Sequence, residues 1–125
     1  MIRDMLLKVF RGGIIDMIYK FYIDDDSHDA FEEKADNVGT IKVYNESKED
    51  ISKNCTVEFF LSKNGMLGLG TELIRLAYNF EQGRHRHLDP VDDELQVQNM
   101  GIFLTPESGE LIICCEDGKC IDDYI

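Results

Sequence analysis

At 125 residues the chain is long enough for one domain with its own core and too short for two, so residues 1–125 read as a single domain. With 43% hydrophobic and 30% charged residues it lies near the globular average, which excludes wholesale disorder. Thirteen Lys and Arg against 25 Asp and Glu leave a net charge of -12, which excludes the basic face that nucleic acid or an anionic lipid surface requires and is compatible with a basic protein partner.

In chain order, Ile2, Met5, Leu6, Val9 and Phe10 repeat at helical spacing and predict a short helix stopped by Gly12-Gly13. Charges at Arg3, Asp4, Lys8 and Arg11 interrupt any signal-peptide-like apolar run. The expected compartment is therefore the cytosol, with Cys55, Cys114, Cys115 and Cys120 as reduced, mostly buried thiols. Residues 14–23 alternate as a strand. Asp24 to Asn37 holds seven acids and one lysine, with Ala30, Phe31 and Ala35 as the thin apolar face of a surface helix or loop.

Two further strands are predicted at Thr40–Asn45 and Thr56–Leu61, around the polar loop 46–50. The clearest helix runs from about Gly68 to Gln82. Leu69, Leu73, Leu76, Ala77 and Phe80 form its expected core face, and Gly83 its stop. Leu95–Leu104 reads as a strand or a pair of short strands. It would form a hairpin with Leu111–Cys115 through Pro106-Glu107-Ser108-Gly109. Asp117-Gly118 is a second turn before a short last strand, Cys120–Ile125. Strands joined by short turns predict an α+β fold: an antiparallel sheet with one main helix packed on one face.

Few residue sets carry chemistry. If extended, His85, His87 and Asp89 point to one side and could hold a metal or supply a base, as in a small metal-binding protein or enzyme. The competing reading is a loop whose bases sit at a helix C-terminus. Gly65 and Gly70 have P-loop spacing, but Thr71-Glu72 follows where Lys-Ser/Thr is needed, so close packing is the better account. Asp24-Asp25-Asp26 fails as a calcium loop because Asp29 replaces the required glycine. Cys114 and Cys115 would face opposite sides of a strand, which argues against a shared metal. No catalytic residue, metal ligand or cofactor is assigned on these grounds.

The acids remain. Asp24, Asp25, Asp26, Asp29, Glu32 and Glu33 form the densest block, in a connection between elements. Asp89, Asp92, Asp93 and Glu94 form a second block, with Arg84 and Arg86 close enough in sequence to neutralise it. These ten are the candidate partner-binding residues. Such blocks are ordinarily solvated faces, and together they also steer a basic partner.

Gly68 to Phe80, Gly83, His87-Leu-Asp-Pro90 and Met100 to Pro106 resemble the small bacterial immunity proteins encoded beside polymorphic toxins, including those of contact-dependent growth inhibition systems. The resemblance implies a cytosolic, non-enzymatic protein that binds and blocks one cognate toxin domain. Many such toxins are basic nucleases, which an acidic inhibitor suits by charge.

Overall fold

The computed structural model describes residues 34–125 in full and the backbone of residues 2–11 and 14–24. Ile2–Arg11 (β1) and Ile14–Asp24 (β2) pair antiparallel, Met5 opposite Phe21, Leu7 opposite Tyr19 and Val9 opposite Met17. The expected first helix is therefore a strand. Its apolar residues satisfy both periods, since Met5, Leu7 and Val9 also alternate, and the neighbouring strand supplies the ladder that decides between them. Gly12 and Gly13 lie outside the described residues, as does the acidic stretch 25–33 with its expected short helix.

The next segment is held by side chains in place of a ladder. Asn45 Oδ1 accepts the N–H groups of Ser47 and Glu49, both at 3.0 Å, and Ser52 Oγ accepts the Val43 N–H at 2.8 Å. Tyr44 and Asp50 make a single antiparallel bridge. A short 3-10 turn follows at Ser52–Asn54. The strands expected at 40–45 and 56–61 are absent as ladders among the described residues: 43–45 reaches only 49–51, through the Tyr44–Asp50 bridge and the Ile51 N–H on the Val43 carbonyl, and no backbone pairing is seen for 56–61. Phe60, in the second, is 85% exposed.

Helix α1 spans Lys63–Tyr78. Ser62 caps it, its hydroxyl accepting the Gly65 N–H at 3.0 Å. The helix begins earlier than the expected Gly68 and ends earlier too, at Asn79, whose N–H reaches the Arg75 and Leu76 carbonyls. Gly83, at φ +84, belongs instead to the turn leading into the next strand.

That strand, His85–Leu88 (β3), pairs antiparallel with Leu111–Cys114 (β4), Leu88 opposite Leu111 and Arg86 opposite Ile113. The ladder continues past its His85–Cys114 end, from Gly83 N–H to the Cys115 carbonyl and from Cys115 N–H to the Arg84 carbonyl. Thus β4 pairs with the segment after α1 and not with 95–104. The latter segment turns back on itself: Met100 and Gly101 both have positive φ, 51° and 78°, and Asn99 and Ile102 exchange backbone hydrogen bonds across them. The turn at Pro106 is as expected, closed by Ser108 N–H on the Thr105 carbonyl at 2.9 Å. The C-terminal segment is a 3-10 turn, Ile121–Asp123, where a strand is predicted from sequence, and the Asp123 carboxylate accepts the Cys120 N–H.

Among the described residues, Leu69 of α1, Leu88 of β3 and Ile102 form a buried cluster, with Leu61, Met100, Leu104, Leu111 and Ile113 packed around it. Among the described residues, one helix packed on a two-stranded antiparallel sheet, together with the separate β1–β2 sheet, makes an α+β fold. The helix face differs from its expected form: Leu69 and Leu76 are buried, whereas Leu73 and Phe80 are 40% and 43% exposed and Ala77 is exposed. Among the described residues no helix is long and apolar enough to cross a membrane.

Candidate partner-binding surface

Alternation along β3 sorts its side chains by face. Leu88 and Arg86 lie on the side of α1, with Leu111 and Ile113 across the ladder. His85 and His87 lie on the other side, opposite Cys114 and Ile112, and all four are exposed. The two imidazoles meet edge to face with centroids 5.1 Å apart. His87 Nδ1 is 3.9 Å from a Glu110 oxygen, and His85 Nδ1 is 3.3 Å from the Gly83 carbonyl. Asp89 follows the strand and does not join them: among the described residues no group of three or more His, Cys, Asp or Glu could hold a metal ion.

The second acidic block follows β3 directly. Val91 N–H donates to the Leu104 carbonyl at 2.8 Å, and Asp92 Oδ1 accepts the N–H groups of Glu94 and Leu95 at 2.8 and 2.7 Å. Asp92 thus folds the elbow that carries its neighbours. Asp89, Asp93 and Glu94 are exposed, and among the described residues no Lys or Arg pairs with them. The neutralisation expected from Arg84 and Arg86 does not occur, because Arg84 pairs with Glu81 and Arg86 lies on the α1 side of β3. Of the first block, Asp24 closes β2 opposite Ile2, while Asp25, Asp26, Asp29, Glu32 and Glu33 lie outside the described residues.

Asp50 is a third acidic feature, and a structural one. Its carboxyl pKa is lowered to about 2, first by the Ser52 hydroxyl, then by the Ser52 N–H, with Lys42 Nζ at 3.4 Å adding a smaller effect. The cysteines are free thiols, but only Cys115 is buried. Cys120 is half-buried, and Cys55 and Cys114 are exposed, so the expectation of mostly buried thiols fails. Cys114 and Cys115 do face opposite ways, one out and one in, as strand alternation requires.

Sequence reasoning missed a cleft where Arg75, Arg84 and Arg86 converge. The available signal was the alternation Arg84-His85-Arg86-His87, which puts both arginines on one side of an extended segment that returns along the helix.

This is a small α+β scaffold with exposed charged loops. Residues 56–116 match the model of the family described as immunity protein 32 (Imm32), just under half of the chain. The resemblance to bacterial immunity proteins is borne out over this stretch, which contains α1, β3, β4 and the Met100-Gly101 turn, and the match supports an immunity function. No curated protein and no solved structure matches significantly.

Proposed function

We propose that this chain is a cytosolic immunity protein that binds a cognate toxin domain, a basic nuclease, and occludes its active site without catalysis. The observation that carries the reading is the family match over the packed core, residues 56–116. The net charge of -12 and the exposed, unneutralised carboxylates of Asp89, Asp93 and Glu94 support the choice of a basic partner. Acidic side chains would take the places of substrate phosphates, or pair with the Lys and Arg that hold them. Exposed aromatics supply apolar contact once docked: Phe60 is 85% exposed and Phe103 53%.

The test is co-expression with the toxin domain encoded beside this chain. The expected result is restored growth and co-purification of a stoichiometric complex whose nuclease activity is lost. Continued toxicity with no complex formed would refute the assignment. A complex that leaves nucleolytic activity intact would refute occlusion.

A further inference from the structure

Three of the chain's five arginines, Arg75, Arg84 and Arg86, line one cavity of about 170 Å³. The C-terminal half of α1 contributes Arg75, with Glu72 as the only carboxylate among the described residues of the lining; Leu76 and Met100 add apolar surface. In a chain of net charge -12 this is a local inversion of sign.

Two of the guanidiniums are already positioned. Arg75 Nη1 donates to Glu72 Oε2 at 2.9 Å. Arg84 donates to the Glu81 carboxylate, and through Nη1 to the Asn79 carbonyl at 2.7 Å. Each contact uses part of a five-donor fork and leaves other N–H groups for a ligand. Arg86 differs. Its one hydrogen bond among the described residues is a long one, Nη1 to the His85 carbonyl at 3.5 Å. The ladder register holds Arg86 on the side of β3 that faces α1, next to buried Leu88.

We propose that this cleft receives a single carboxylate, the Asp or Glu side chain of a docked partner protein, with Arg86 as its chief donor. That the partner is a toxin rests on the immunity reading; the chemistry of the cleft does not. A guanidinium fork matches a carboxylate with two parallel hydrogen bonds. A phosphate dianion fits less well, because its second charge meets Glu72 and the acidic field of the whole chain. The cleft supplies register. Broad attraction between an acidic and a basic surface tolerates many orientations, whereas one pair of inverted sign admits one.

The probes are sodium acetate and sodium phosphate, titrated separately into the free, ¹⁵N-labelled protein with chloride keeping ionic strength constant. The arginine Nε–H signals are followed, and Arg3 and Arg11, which belong to β1, serve as internal references. Acetate should shift Arg86, with Arg75 or Arg84, along a saturable curve while Arg3 and Arg11 stay put. Arg86→Lys keeps the charge and loses the fork, so it should weaken acetate binding several-fold; Arg86→Ala should abolish it. Unchanged Leu88 and Ile102 amide signals verify that both variants fold. Shifts that are linear in acetate and shared by all five arginines would overturn the site. Phosphate saturating at lower concentration than acetate would overturn the carboxylate assignment. No toxin is present in this titration, so a null result removes the cleft and leaves the toxin reading standing. Saturable acetate binding in a chain that binds no toxin removes only the latter.

Discussion

At Gly68 and Gly101 two backbones touch. A Cβ on Gly68 would lie 2.1 Å from the Gly101 carbonyl oxygen, and one on Gly101 would lie 2.2 Å from that of Gly68. Neither neighbour is a movable side chain, so Gly68→Ala must push α1 away from the Met100-Gly101 turn, at a cost of about 1–3 kcal/mol or more. Gly70, two residues on, has nothing within 4 Å of its would-be Cβ, and Gly70→Ala should stabilise the helix by about 1 kcal/mol. Urea denaturation of the pair decides: two changes of the same sign would mean the helix does not seat on this turn. From sequence alone the glycine spacing was legible as close packing, with Gly68 and Gly70 opening the expected helix, but not which backbone they meet, because the contact is with a residue more than thirty positions away. Asp50 gives a second residue-scale test. Its folded pKa of about 2 lies below the ordinary 3.8, so the stability it contributes is fully present above about 3.8 and is lost as pH falls through about 2. Ser52→Ala removes the largest cause and should return the Asp50 carboxyl midpoint toward 3.8, read by NMR titration; an unchanged midpoint would show that Ser52 does not hold it.

Among the elements, α1 was legible by its period and misread at its edges. Gly65, Gly68 and Gly70 lower the helix propensity of the first two turns and hid a start that Ser62 in fact caps. Period alone marks an apolar stripe but not which flank of it meets a partner. Leu69 packs with Leu88 and Ile102 and Leu76 is also buried, whereas Leu73 and Phe80 are exposed. Leu88, with no exposed surface, should therefore lose about 2–5 kcal/mol on Leu88→Ala. Leu73→Ala and Phe80→Ala should each cost less than half as much, in chemical denaturation of the full chain. Equal losses at all three positions would mean that the exposed flank of α1 is covered in solution. β1 was misread for the reciprocal reason: its residues fit both periods, and only pairing with β2 selects the strand. Strand His85–Leu88 was legible as a conditional alternation, its partner β4 was not, and the arginine cleft depends on that partner's register.

Across the whole molecule, charge acts before contact. Its reach at physiological salt is a screening length of about 8 Å, so against the basic toxin we propose as partner the acidic blocks should set the association rate more than the lifetime of the complex. Apolar anchors such as Phe60 act only after docking and belong to the lifetime. The two candidate blocks are not equivalent. Asp92 is committed to the elbow's backbone, whereas Asp89, Asp93 and Glu94 are exposed and unpaired by Lys or Arg among the described residues. Asp25, Asp26 and Asp29 belong to the denser block, seven acids against one lysine between Asp24 and Asn37. Reversing those three charges should slow association about tenfold or more at low salt, with the gap closing as salt rises. Reversing Asp89, Asp93 and Glu94 should slow it as well, since Arg84 pairs with Glu81 and Arg86 lies on the α1 side of β3. Asp92→Asn, by contrast, leaves an Oδ1 acceptor for the elbow and should change the rate least. Stopped-flow kinetics against the toxin domain over a salt series test all three. Tight binding with a rate insensitive to salt and to both reversals would place the interface on the neutral, apolar parts of the surface and end the case for acidic mimicry.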